Sequence, residues 1–272
     1  MSSATRFTGF GARAVPSPHG LVHLAGLVAA FADQSYPDLE VVVVNDGSGP
    51  EASQEFDRVA AETRDARFRF LTTENRGPGA ARNAAAEAAT GELLLFFDAD
   101  GLPKDRDFVA TLVRALRWSG VDCLTCAYDI VSADRPVPTE QDVVSTYRPF
   151  GACLEAGFFQ NVMGDATMML PRSVFTPVGG FPTARASWEA QEFLLRLCFQ
   201  RFKLETFPEA LIYSRESPSG RSQQPNYFLN FQSLFEQLRG APSEDLARII
   251  ATVGGPTLVA RLGAGPAPLV GR

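Results

Sequence analysis

Two short apolar runs, each closed by an acidic turn, constrain this chain more than any other feature. Residues 39–44 carry Leu39 and four consecutive valines, and Asn45-Asp46-Gly47-Ser48 follows at once. Residues 92–98 carry Leu93, Leu94, Leu95, Phe96 and Phe97 and lead into Asp98-Ala99-Asp100. Runs this apolar on consecutive positions suit strands buried on both faces. Helical spacing surrounds them. Leu21, Leu24, Val28 and Phe31 share one face of a helix over 21–31. Residues 51–63 read as a polar-rich helix, and 67–72 alternate as a strand with Phe68 and Phe70 on one side. Residues 78–90 form an alanine-rich helix, with Pro78 suited to its first turn and Gly91 placed to stop it. Strand and helix in alternation predict an α/β fold, a mostly parallel sheet with helices on both faces. With 272 residues, 45% of them apolar and 21% charged, the chain can build such a core.

The second half is patterned more loosely. Residues 108–118 predict a helix, 121–131 a strand, and 132–152 a loop containing Pro136, Pro138 and Pro149. A short strand is expected at 167–170, a helix at 189–201 and a strand at 203–207. Residues 214–226 read as a polar loop. Helices at 227–239 and 243–253, then a Gly/Pro/Ala-rich tail, form a C-terminal extension. The expected division is a first half over about 1–105, a second half over about 106–226, and the extension over 227–272.

Several classes are excluded or disfavoured. A formal net charge of −6 argues against a dedicated nucleic-acid binder, which needs a basic stripe to meet phosphate. The apolar runs are too short to span a bilayer, and the N-terminus lacks a signal-peptide layout. A cytoplasmic setting is the expectation, with a membrane or protein partner reached through the C-terminal extension. Cys123-Leu-Thr-Cys126 has the spacing of a metal or redox pair but no second such pair. On a strand, residues three apart point to opposite faces, so core thiols in a reducing compartment are expected. No Gly-x-Gly-x-x-Gly follows the first strand, which disfavours a dinucleotide-dependent oxidoreductase.

The chemistry gathers at strand ends, where open parallel sheets bind ligands. Asp46 ends one run, and Asp98-Ala99-Asp100 ends the other. Two carboxylates one small residue apart can divide labour, one accepting from a ribose hydroxyl and the other ligating a cation. Oxygen ligands suit Mg²⁺ or Mn²⁺, which also bind substrate phosphates. A second feature is Asn75-Arg76-Gly77-Pro78-Gly79-Ala80-Ala81-Arg82-Asn83. Its glycines allow close backbone approach, and the helix that follows offers N–H groups to an anion. Arg82 is a charge in an apolar helix and needs a phosphate or a strand-end aspartate as partner.

In order, Gln34-Ser35-Tyr36-Pro37-Asp38, Asn45-Asp46-Gly47-Ser48, Asn75-Arg76-Gly77…Ala81-Arg82-Asn83 and Thr90-Gly91-Glu92…Phe97-Asp98-Ala99-Asp100 resemble family 2 glycosyltransferases. The likeness continues at Gly164-Asp165-Ala166, Val178-Gly179-Gly180-Phe181, Trp188-Glu189…Arg196-Leu197 and Phe207-Pro208-Glu209. It covers roughly residues 14–222. The resemblance implies a nucleotide-diphospho-sugar transferase (GT-A), Rossmann-type fold. It also implies an inverting transfer from a nucleotide-sugar donor, most often a uridine one, to a glycan, lipid-linked or other hydroxyl acceptor. Asp46 would contact the base, Asp98 the ribose and Asp100 the metal, Mn²⁺ or Mg²⁺. Pro16, Ser48, Gly77, Arg82, Ala99 and Trp188 would complete the nucleotide-sugar pocket.

Three positions depart from the family pattern. The usual Glu-Asp pair that supplies the base reads Glu189-Ala190, Ser217 stands where a histidine is common, and the first strand gives way to Pro16-Ser17-Pro18-His19. The catalytic candidates are therefore Glu189 and Asp165. Asp165 has a plain alternative as a turn residue before the strand at 167–170. Trp188 either stacks on a sugar or anchors the core. Arg215 and Arg221 either clamp a diphosphate or lie solvated. Two functions follow: an active metal-assisted transferase, or a degenerate domain that binds a sugar nucleotide or a protein partner with little transfer.

Overall fold

The computed structural model describes residues 7–8, 21–132, 137–153, 162–183 and 188–215. Pro16, His19, Ser217, Arg221 and the expected C-terminal helices lie outside the described residues. In chain order the elements are β1 Phe7–Thr8, α1 Leu21–Ala32, β2 Leu39–Asp46, α2 Pro50–Glu62, β3 Phe68–Thr73, α3 Pro78–Ala88, β4 Leu93–Phe96 and β5 Gly101–Pro103. There follow α4 Phe108–Ser119, β6 Cys123–Val131, a 3₁₀ turn at Glu140–Asp142, β7 Val143–Tyr147, β8 Met168–Pro171, α5 Arg172–Val178, α6 Glu189–Phe199 and β9 Leu204–Arg215.

One sheet runs β3-β2-β1-β4-β8-β6-β9-β5, and β7 pairs with the far half of β6. The expected parallel order holds through β3, β2, β1 and β4. Beyond β4 the sheet becomes mixed. Strand β8 inserts antiparallel between β4 and β6. Strands β6 and β9 pair parallel, while β5 and β7 add antiparallel edges. Because β8 opposes both neighbours, β6 runs the same way as β4. The carboxyl ends of β2, β4, β6 and β9 and the amino end of β8 therefore share one edge of the sheet.

Period-two alternation sends the Val41–Val44 run of β2 and all of β4 to both faces of the sheet. Val42, Val44, Leu94 and Phe96 enter a core beneath α3, α5 and α6. Val41, Val43, Leu93, Leu95 and Phe97 enter a second core beneath α1, α2 and α4. Each face is covered, as the runs required. Cys123 and Cys126 divide the same way, Cys123 into the first core and Cys126 into the second. Burial pushes the Cys126 and Cys198 thiols up to about 12, so they behave as core hydrophobes and not as thiolates. On the first face Phe96, Phe175, Phe181 and Phe193 pack ring to ring, with Phe181 and Phe193 centroids 4.7 Å apart.

The structure adds three elements to those expected and lengthens one. Strand β7 lies inside the proline-flanked stretch expected to be loop. Among the described residues it pairs only with β6, an edge position where flanking prolines cost no ladder bonds. Strand β5 has three residues, and α5 carries Pro177 inside it, so neither shows a clear period. Strand β9 continues past Phe207 to Arg215, because register shifts opposite Cys126 and Ala127 absorb the Pro208-Glu209 step. Among the described residues no helix is long and apolar enough to cross a membrane.

The small residues of α3 let it press against the turn before α6. A Cβ on Gly79 would sit 2.2 Å from the Pro182 carbonyl oxygen, a backbone atom that has little room to yield. Asn83, one turn on, holds the same segment. Its Oδ1 accepts from the Phe181 amide at 2.9 Å, and its Nδ2 donates to the Phe181 carbonyl at 2.8 Å. Asn83 thus braces the fold. Gly79→Ala should lower the unfolding free energy by about 1–3 kcal/mol, the usual range for overpacking a tight contact, as read from urea denaturation.

Candidate functional site

The shared sheet edge gathers the expected acidic residues. Asp46 ends β2. Asp98, Ala99 and Asp100 follow β4. Asp165 precedes β8, whose Met168 pairs with Phe96 at the end of β4. Glu189 opens α6. Arg82 projects from α3 and ties two of these segments together, the turn after β4 and the start of α6.

The Arg82 side chain is 1% exposed. Its Nη1 donates to Glu189 Oε1 at 2.9 Å, and its Nη2 donates to Asp98 Oδ1 at 2.6 Å. The guanidinium carbon lies 5.3 Å from the Phe181 ring centroid, so the ring closes one side of the cation. Nε has no hydrogen-bond partner among the described residues. Burial works against the charge, but Asp98 and Glu189 outweigh it and hold the guanidinium above its ordinary pKa.

The carboxylates differ in access. Glu189 is 3% exposed. Asp98 keeps 31% of its side chain exposed beside the same arginine. Asp165 is half-buried, and its Oδ1 accepts from the Ala166 amide at 2.7 Å. Burial first, then the neighbouring Asp98 charge, push the Asp165 carboxyl above the usual range, while the Ala166 amide and Arg82 pull it back. Asp100 is exposed. Its carbonyl accepts from the Arg215 amide at 3.1 Å and, more weakly, from Arg215 Nη1 at 3.4 Å. Arg215 is itself buried, and burial lowers its pKa against the opposing pull of Asp100. It braces the acidic turn from the end of β9 and is not a solvated loop residue.

Asp46 is fully buried. Its Oδ1 accepts from the Arg76 amide and its Oδ2 from the Gly77 amide, both at 2.9 Å. It therefore joins the end of β2 to the glycine-rich loop before α3. Asn45 Oδ1 accepts from the Ser48 amide at 3.0 Å, and Ser53 donates to the Ser48 carbonyl at 3.0 Å, which fixes the Asp46–Ser48 turn. Trp188 caps α6 with φ +67 and packs in the first core. Ala190 packs in that core as well.

One group at this edge had no signature in the sequence. Lys104 contacts Asp129 and, at 2.8 Å, Glu140; its ammonium also lies 4.7 Å from the Tyr213 ring centroid. Tyr213 donates to Glu140 at 2.9 Å, and Thr146 donates to Asp129 at 2.5 Å. These residues come from five separate segments, and only folding brings them together. They tie β5, β6, β7 and β9 at the end next to Asp100.

Among the described residues no three His, Cys, Asp or Glu side chains group closely enough to cage a metal. The donor set suits a different arrangement. Asp100 offers an exposed hard carboxylate, and Mg²⁺ or Mn²⁺ accepts one or two such ligands when a diphosphate and waters supply the rest. The residues fit a cation that arrives with its nucleotide.

Residues 22–174, more than half of the chain, match the model for "Glycosyl transferase family 2". The chain belongs to that family. It is 30% identical over 122 residues to EpsH of Bacillus subtilis (strain 168), named as a glycosyltransferase, across 44% of this chain and 33% of that protein. It is 37% identical over 94 residues to glycosyltransferase GlyA of Streptococcus pneumoniae serotype 4, across 35% of this chain and 13% of that one. The matched stretch thus spans a third or less of these relatives. Among solved structures, S. aureus TarS 1-349 in complex with UDP-GlcNAc superposes with a TM-score of 0.65 at 17% identity, over 95% of this chain and 76% of that one. Mannosyltransferase PcManGT from Pyrobaculum calidifontis, in complex with GDP-Man and Mn²⁺, superposes with a TM-score of 0.62 at 20% identity, over 97% of this chain and 77% of that one. Both likenesses concern the fold.

Arg82→Met should cost about 3–5 kcal/mol, because it strands the buried Glu189 carboxylate without its cation. Guanidinium denaturation at neutral pH measures this. Loss of less than 1 kcal/mol would show that the bridge is dispensable.

Proposed function

We propose that the chain transfers a sugar from a nucleotide-diphosphate donor, a uridine one in the first instance, to a hydroxyl acceptor with inversion. The observation that carries this reading is the exposed Asp100 carboxylate beside the Asp98–Arg82–Glu189 bridge at the carboxyl edge of the sheet. Support comes from the neighbours in complex with UDP-GlcNAc and with GDP-Man and Mn²⁺.

In this reading the loop that Asp46 ties down through the Arg76 and Gly77 amides borders the base pocket, with Ser48 beside it. The exposed side of Asp98 accepts from the ribose, with Ala99 leaving space between the two carboxylates. Asp100 holds the cation, and Arg215 fixes the backbone of that turn. A bound Mn²⁺ or Mg²⁺ supplies Lewis-acid stabilisation of the charge on the departing diphosphate. Arg82 keeps Asp98 oriented and adds positive charge behind it. Trp188 anchors the start of α6 in the core. The acceptor hydroxyl must lose a proton as its oxygen attacks the anomeric carbon, and Glu189 and Asp165 are the carboxylates available for it. The acceptor, glycan, lipid-linked or another hydroxyl compound, enters on the side of the second half of the chain.

One observation favours a second reading, a domain that binds a sugar nucleotide with little turnover. Ala190 offers no carboxylate, and Glu189 is paired with a buried arginine at 2.9 Å. Titration calorimetry with UDP and Mn²⁺, run beside a donor-hydrolysis assay, separates the two. Binding with turnover supports the transferase, and binding alone supports the second reading. Asp100→Asn should abolish the Mn²⁺-dependent part of UDP affinity and leave thermal stability unchanged, since the residue is exposed. Undiminished Mn²⁺-dependent affinity in that variant would contradict the assignment.

A further inference from the structure

Resting on the glycosyl-transfer reading above, we propose that Asp165 is the general base of this chain and that Glu189 is a positioning residue which anchors Arg82. In the step concerned, the acceptor oxygen forms a bond to the anomeric carbon. The bond from that carbon to the diphosphate oxygen breaks, and its electron pair leaves with the diphosphate. The acceptor proton goes to the Asp165 carboxylate.

Three observations converge on this assignment. First, α6 has no usable carboxylate where a base is expected. Ala190 is buried in the core, and Glu189 is 3% exposed with Oε1 bound to Arg82. Protonating Glu189 would leave the buried guanidinium facing a neutral acid on that side, which the low-dielectric surroundings penalise. Second, the backbone is shaped to present Asp165. Gly164 has φ +149, and a Cβ there would lie 2.5 Å from Thr125 Cγ2, so the turn presses flat against β6. That sets Asp165 at the amino end of β8, on the edge where β4 delivers Asp98, with its side chain half-buried and not sealed. Third, the surroundings favour a carboxylate able to take a proton. The groups acting on Asp165 are Asp98 after β4, Arg82 on α3 and Glu189 on α6. From β6, Tyr128 and Cys126 feel its charge, and Asp100 also acts on Tyr128. Arg82 is the one cation of this set, and it is already shared by two other carboxylates.

The assignment predicts a particular pH dependence. A base must be deprotonated, so kcat/KM should fall as pH drops through its pKa. Since the Asp165 carboxyl is shifted upward, this acid limb should lie above the ordinary aspartate range. The test measures UDP release from UDP-GlcNAc and GDP release from GDP-mannose with Mn²⁺ across pH. The wild type, Asp165→Asn and Glu189→Gln are compared, with UDP affinity measured by calorimetry. Asp165→Asn should lose about 10²–10⁴-fold in turnover, keep its UDP affinity and lose the acid limb. Glu189→Gln should keep the acid limb, because a positioning residue alters rate without removing the base.

Wild-type turnover in Asp165→Asn, or an acid limb that survives there, would overturn the assignment and leave the transferase reading intact. Loss of the limb in Glu189→Gln with UDP affinity retained would overturn it too, even if Asp165→Asn failed to fold. No release from either donor by the wild type would overturn the transferase reading itself, and the base with it.

Discussion

The candidate site depends on one buried cation. Arg82, on an alanine-rich helix, reaches Asp98 on one side and Glu189 on the other. A guanidinium removed from water needs carboxylates with good geometry, and its planar fork can serve two at once. The bridge therefore does two things. It holds the turn after β4 against the start of α6, the two halves between which donor and acceptor would meet. It also leaves Asp98 partly exposed beside an exposed Asp100. The Phe96–Phe175–Phe181–Phe193 packing beneath makes the base of the bridge apolar and water-poor, which strengthens its electrostatics.

Much of this was legible in the residues. The valine run and the leucine–phenylalanine run could be buried on both faces only in a sheet covered on both sides, and the acidic residues that close them had to lie at strand ends. Arg82 stood out because a charge in an alanine-rich helix demands a partner, and a strand-end aspartate is one of the two partners found. The opposite facing of Cys123 and Cys126 followed from strand periodicity alone.

Other parts were not legible, for physical reasons. The second partner of Arg82 lies 107 residues away, and no local pattern encodes a pairing that distant. The Lys104–Asp129–Glu140–Tyr213 group is built from segments that meet only through β6 and β9 pairing. Strand β7 hides among prolines because an edge strand needs ladder bonds on one side only. Strand β9 seemed to stop at Phe207 because Pro208 breaks a regular ladder, and a bulge accommodates it. Arg215 read as a loop residue for the same reason, yet it is buried against the Asp100 backbone.

We propose that this edge of the sheet takes a metal-bound nucleotide diphosphate through Asp100, with Arg82 still bridging Asp98 and Glu189. A crystal structure grown with UDP and Mn²⁺, with anomalous data collected near the manganese edge, measures it most directly. The expected result is a manganese peak within coordination distance of the Asp100 carboxylate and of the diphosphate, with the bridge intact. Nucleotide bound away from this edge, or manganese bound without Asp100, would contradict it.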